Sequence, residues 1–138
     1  EVGDIPFLKQ VFACMKAFII DREDLKQSMQ VIVNVIREVR AGRNYLIFAE
    51  GTRSKSGNHP GTFKGGSFKT ATKTKCPIVP VALIDSFKAF DTGSTEKITV
   101  QVHILPPMYY EEYKDMHTTE LAEEVKRRIE KVIEENIM

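Results

Sequence analysis

The chain has 138 residues, 42% of them hydrophobic, which suits one domain of ordinary size around one core. Its 20 Lys and Arg nearly balance 19 Asp and Glu, so a formal charge of +1 excludes a general field for gathering DNA, RNA or anionic lipid, and recognition of anions has to be local. Two distant cysteines, Cys14 and Cys76, exclude a disulfide framework and read as reduced structural thiols of a cytosolic compartment, and no apolar run approaches the ~20 residues that cross a bilayer, which describes a soluble or at most peripheral piece.

Glu1 is no natural initiator and Val2-Gly3-Asp4-Ile5-Pro6 reads like the interior of a domain, so a preceding segment is expected. Ile5 to Met15 is apolar, with Pro6 where a first helical turn tolerates it, and predicts a short buried helix. Ala17-Phe18-Ile19-Ile20 reads as a strand. After Asp21 and Arg22, Leu25, Met29, Ile32, Val33, Ile36 and Val39 recur at helical spacing until Gly42 ends the helix. Tyr45-Leu46-Ile47-Phe48 has the continuous apolar pattern of a strand covered on both faces in a parallel sheet.

From Glu50 to Gly66 the chain is rich in Gly, Ser, Lys, Arg and Pro, too long for a plain connector, and such loops tend to be functional or disordered. Ser67 to Lys75 predicts a short helix, and Ile78 to Ile84 a second buried strand in which Pro80, lacking an N–H, marks a bulge or edge position. Ile98, Val100, Val102 and Ile104 alternate with Thr99, Gln101 and His103, a strand with one wet face to which His103 belongs. A helix from about Thr119 to Asn136 closes the chain, with Leu121, Val125, Ile129, Val132 and Ile133 on one face. This order predicts an α/β fold, a mostly parallel mixed sheet flanked by helices.

The chemistry gathers at Glu50-Gly51-Thr52-Arg53-Ser54, where a predicted strand opens into the loop, since ligands of open α/β sheets bind at the carboxyl ends of strands. Gly51 permits close backbone approach, Thr52 and Ser54 offer hydroxyls, and the planar fork of Arg53 suits a phosphate. Arg22 would project at the same edge if its strand is a parallel neighbour, and Lys64 follows in the loop, so three cations would converge on one phosphoryl group. The plainer alternatives stand beside these: Arg22 as a solvated or capping residue, and Glu50 as the ion-pair partner of Arg53 rather than an acceptor for a substrate hydroxyl.

Other sites fail on spacing. In Gly61-Thr62-Phe63-Lys64-Gly65-Gly66-Ser67 the Lys precedes the Gly pair, unlike a nucleotide phosphate loop, and Gly65-Gly66-Ser67-Phe68 lacks the Gly that a nucleophile elbow needs after its Ser. His59, His103 and His117 have no ligand-spaced partners, so no metal is expected.

Taken in order, Ala17-Phe18-Ile19-Ile20-Asp21-Arg22, Phe48-Ala49-Glu50-Gly51-Thr52-Arg53-Ser54 and Ile78-Val79-Pro80-Val81-Ala82-Leu83 resemble the second, third and fourth sequence blocks of the glycerolipid acyltransferase family, with Phe63-Lys64-Gly65-Gly66-Ser67-Phe68 between the last two. The similarity is greatest to its lysophosphatidate-acylating branch. It implies transfer of a fatty acyl group from a coenzyme A or acyl-carrier-protein thioester, without cofactor, to 1-acylglycerol 3-phosphate, giving phosphatidic acid for phospholipid synthesis. Glycerol 3-phosphate or another lysophospholipid is the alternative acceptor, and a phosphate- or lipid-binding module without chemistry is the alternative class.

In that family the first block is His, four residues, Asp, the His acting as general base. No His of this chain has an acid five places on, so the resemblance implies an N-terminally truncated chain, 1–138 being the C-terminal part of one acyltransferase domain without its catalytic residues. By resemblance Arg22 and Arg53 would bind the substrate phosphate, Glu50, Gly51, Thr52 and Ser54 would shape the glycerol pocket, and the Pro80 strand would line the acyl side. The intact protein would work at the cytoplasmic face of a membrane in peripheral contact, and an incomplete sheet would leave apolar surface or an edge uncovered.

Overall fold

Two long amphipathic helices follow the spacing of their apolar residues. In the computed structural model, which describes residues 6–20, 24–91, 93 and 96–137, they are α2, Leu25–Arg40, and α6, Thr118–Asn136. Contacts divide the chain into two compact units, Glu1–Tyr45 and Leu46–Met138.

In the first unit Asp24 caps α2 by accepting from the Gln27 N–H at 3.0 Å, and Gly42, at φ +86°, takes the left-handed position after the helix while its N–H donates to the Val39 carbonyl. The buried stripe of α2 is centred on Val31 and Val35, and Met29 and Val33 of the predicted stripe are exposed. Helix α1, Pro6–Cys14, forms where predicted but buries none of its residues, and Phe7 is 72% exposed. An apolar helix shows what it would bury and not what covers it. Cys14 is likewise exposed, which corrects its reading as a structural thiol.

Residues 17–20 form no ladder among the described residues. Side chains hold them: Gln27 Nε2 donates to the Ile19 carbonyl at 2.7 Å, the Tyr45 hydroxyl donates to the Lys16 carbonyl at 3.3 Å, and the Phe18 and Tyr45 rings stack at 5.8 Å.

In the second unit a 3-10 turn, Gly65–Phe68, runs into α3, Lys69–Thr74, followed by β1, Val81–Ile84, and α4, Lys88–Asp91. Then come β2, Gln101–Ile104, α5, Tyr110–Tyr113, and α6. The core lies between α6 and the inner face of β1: Leu121, Ala122, Val125, Ile129 and Ile133 pack with Ala82 and Ile84, joined by Phe68, Ala71, Leu105, Met108 and Tyr113. Cys76 is half-buried against it.

The sheet of the described residues is two-stranded and antiparallel, with Val81 opposite Ile104 and Ile84 opposite Gln101. The mostly parallel sheet expected from the sequence is not what they form. Residues 45–48 form no ladder among the described residues, with Leu46 73% and Phe48 69% exposed. An apolar run shows a tendency to be buried, but strand status depends on a neighbour that supplies ladder hydrogen bonds.

The faces of β2 are also reversed. Val102 and Ile104, with Leu83 across the ladder, form an exposed apolar face, whereas His103 is half-buried with its Nε2 3.0 Å from Gln101 Oε1. Alternation separates two faces without saying which is wet, because a single residue of register exchanges them. Pro80 sits as its missing N–H requires. Its carbonyl accepts from Leu105 N–H at 3.0 Å, and the ladder resumes at an Ile78–Met108 bridge. Three positions separate Ile78 from Val81 but four separate Ile104 from Met108, so Pro106-Pro107 carries one extra residue, a bulge facing Pro80.

On α6, Arg127 and Arg128 both donate to the Glu124 carboxylate, at 2.8–2.9 Å, and hold its pKa down to about 2 from an ordinary 4.5. Because the folded value lies below the unfolded one, this contribution is fully present above pH 4.5 and is lost as the pH falls from 4.5 towards 2. Glu124→Gln is therefore expected to lower stability at pH 7 and to be indistinguishable from the parent near pH 2, as read by urea unfolding at both values.

Candidate functional site

Glycine is required where the chain leaves residues 45–48. The Gly51 N–H donates to the Phe48 carbonyl at 3.0 Å, closing a turn, and Gly51 itself has φ +64°, a conformation that side chains resist. A Cβ there would also stand 3.3 Å from Lys64 Nζ, so the Lys64 ammonium lies directly over the Gly51 backbone. The Lys64 main chain is fastened to the same turn, its N–H donating to the Ala49 carbonyl at 2.9 Å. Two of the residues singled out from the sequence, 13 positions apart, are thus in contact.

Glu50 closes the loop. Its Oε2 accepts from the Gly61 N–H at 2.7 Å, and a Cβ on Gly61 would come within 2.9 Å of that oxygen, so a side chain at position 61 would push the Glu50 carboxylate aside. Ser54 turns inward as well: its hydroxyl donates to the His59 carbonyl at 2.8 Å and accepts from the Ser56 N–H at 3.2 Å. Thr52 and Arg53 are exposed on the loop between these two fastenings. Pro80 is buried at the base of β1. Arg22 lies outside the described residues, so its expected convergence with Arg53 has no counterpart here.

A second fastening has no signal in the sequence, because its partners are 27 positions apart. Asn58 Nδ2 donates to Asp85 Oδ1 at 2.9 Å, and the Asp85 N–H donates back to Asn58 Oδ1 at 2.7 Å. Lys88 reaches the other carboxylate oxygen at 2.9 Å. The Lys88 and Asn58 hydrogen bonds, in that order, hold the Asp85 carboxyl below its usual range.

What the loop offers is a short backbone turn with an ammonium over it, and Arg53 and Thr52 exposed on the same loop, held in shape by bonds inside it. Such an arrangement suits an anion with several oxygens, such as a phosphate ester. No helix among the described residues is long and apolar enough to cross a membrane.

Residues 1–84 match the family model described as Acyltransferase, which spans both fastened ends of the loop. A 1-acyl-sn-glycerol-3-phosphate acyltransferase of Helicobacter pylori is 30% identical over 83% of this chain and 53% of its own length. The enzyme of the same name from Salmonella typhimurium is 30% identical over 95% of this chain and 54% of its own. The chain therefore spans about half the length of these curated relatives. The crystal structure of the 1-acyl-sn-glycerophosphate (LPA) acyltransferase PlsC from Thermotoga maritima superposes with a TM-score of 0.73 at 20% identity, over 97% of this chain and 53% of that one, which establishes the fold. With more than half its residues inside the family model and that fold, this chain belongs to the acyltransferase family.

Proposed function

We propose that the full-length protein transfers a fatty acyl group from an acyl-CoA or acyl-carrier-protein thioester to the free hydroxyl of 1-acylglycerol 3-phosphate, forming phosphatidic acid. The observation that carries this is the turn at Gly51 with Lys64 Nζ over it and Arg53 exposed two positions along the same loop, in a chain whose named relatives are 1-acyl-sn-glycerol-3-phosphate acyltransferases. Arg53, Arg22 and Lys64 hold the acceptor phosphate. Gly51 and Thr52 border the glycerol, Glu50 and Ser54 shape that pocket from within the loop, and the strand entered at Pro80 lines the acyl side.

The thioester is already activated, so the reaction needs an oriented hydroxyl, a base to take its proton and donors for the developing oxyanion. Residues 1–138 supply orientation, because they contain no His followed five places on by an acid. Both units belong to one acyltransferase domain, a reading supported by a family match that runs across their boundary at residues 45 and 46. Residues 17–20 and 45–48 then become strands of a mostly parallel mixed sheet flanked by helices, which would supply the ladder partners that they do not have among the described residues. The lipid substrates bring the protein into peripheral contact with the cytoplasmic face of a membrane.

The test is an assay with acyl-CoA or acyl-carrier-protein donor and lysophosphatidate. The full-length protein is expected to form phosphatidic acid, and the 138-residue chain alone to give no turnover above a no-enzyme control. Turnover by the chain alone would contradict its assignment to binding. Preference for glycerol 3-phosphate or another lysophospholipid in competition would move the acceptor assignment, and no transfer to any of them would overturn the reading.

A further inference from the structure

The loop that carries Arg53 is fastened at its neck by Glu50 and Gly61, but those bonds alone leave its far end free to swing. Asn58 stands near that end. We propose that Asn58 and Asp85 form a clasp that holds the 50–61 loop against the carboxyl end of β1 and so sets the position of Arg53; this rests on the reading of Arg53 as a phosphate ligand. Both are positioning residues, since neither is assigned a contact with substrate.

Three features make the contact a clasp rather than a chance surface bond. It is reciprocal, at 2.9 and 2.7 Å, so the amide fits in one orientation only: its nitrogen faces the carboxylate and its oxygen faces a backbone N–H. Asp85 stands at φ +64° immediately after β1, a turn that Asp tolerates better than most residues, and Lys88 braces its second oxygen. The neighbouring residues repeat the attachment, for Gly57, at φ +63°, leaves room for the Phe87 ring, which would lie 3.5 Å from a Cβ there. Two successive loop residues thus meet the turn 85–87, and the loop is pinned to the end of β1. An arginine on a pinned loop gives up less freedom on binding an anion than one on a swinging loop.

The experiment exchanges the partners in the full-length protein. Asn58→Asp keeps one acceptor but sets two carboxylates face to face, whereas Asn58→Asp combined with Asp85→Asn restores a complementary donor and acceptor. The single variant is expected to raise KM for lysophosphatidate by roughly threefold to tenfold with kcat little changed, and to speed amide hydrogen exchange across 50–61. The exchanged pair is expected to recover both. In an Arg53→Ala background the same single change should add little, because the group it positions is gone.

An unchanged KM in Asn58→Asp, or faster exchange without a change in KM, overturns the clasp. So does a folding defect that the exchanged pair fails to repair, which would make the contact a determinant of the fold. If Arg53→Ala alone leaves KM unchanged, the phosphate reading itself fails; if Arg53→Ala raises KM and Asn58→Asp does not, only the clasp fails.

Discussion

Arg53→Ala in the full-length protein is expected to raise KM for lysophosphatidate by roughly tenfold to more than a hundredfold. A charged hydrogen bond to phosphate contributes about 1.5–3 kcal/mol, and each 1.4 kcal/mol is a factor of about ten in binding. The loop is built so that this contribution survives: Glu50 bonds to the Gly61 N–H, and Ser54 to the His59 carbonyl and the Ser56 N–H, which leaves the exposed Arg53 on a shaped rather than a loose segment. Arg53→Lys keeps the charge but loses the planar fork, so it should fall between alanine and the parent. Steady-state kinetics over a range of lysophosphatidate concentrations reads both variants. An unchanged KM in Arg53→Ala would remove Arg53 from the acceptor site.

The largest expected effect on stability is at Tyr113. Its side chain is fully buried in the core of the second unit, its ring meets Tyr110 edge-on at 5.4 Å, and its hydroxyl donates to the Ala71 carbonyl at 3.3 Å and closely to the Cys76 carbonyl. Ala71 lies within α3 and Cys76 just after it, so one hydroxyl ties α5 to the passage from α3 towards β1. Burial, with Cys76 and Tyr110 adding to it, pushes the phenol up to about 12, so it stays a donor across the working range. Tyr113→Ala removes an aromatic ring from a packed core and is expected to cost about 3–5 kcal/mol. Tyr113→Phe keeps the ring but deprives the Cys76 carbonyl of its hydroxyl donor, for about 1–3 kcal/mol, while the Ala71 carbonyl keeps the Lys75 N–H. Against a total of roughly 5–15 kcal/mol for a domain, the first is a large fraction. Urea unfolding of the chain reads both; equal losses would show that the hydroxyl carries the whole effect and the ring none.

Helix periodicity was the most legible part of the fold. Both α2 and α6 stand where apolar residues recur at helical spacing, because that pattern is local and sustained over several turns. Burial was less legible. Helix α1 and residues 45–48 are as apolar as core elements, yet Phe7, Leu46 and Phe48 are exposed, since sequence records a preference and the partner decides the outcome. The same limit reversed the faces of β2.

At the site, the sequence singled out Glu50 to Ser54 and Lys64, and the Lys64 ammonium lies against the Gly51 backbone. The Ser54 hydroxyl and one oxygen of Glu50 act inside the loop, which the sequence did not foreshadow. Asn58 and Asp85 had no signal at all, because a contact across 27 positions is made by the fold.

A crystal structure of the full-length protein with lysophosphatidate, or with glycerol 3-phosphate as its soluble headgroup, tests the central claim most directly. The phosphate oxygens are expected within hydrogen-bond distance of the guanidinium groups of both Arg22 and Arg53, beside the Gly51 turn. A phosphate seated elsewhere, with the two guanidinium groups on opposite sides of the molecule, would contradict it.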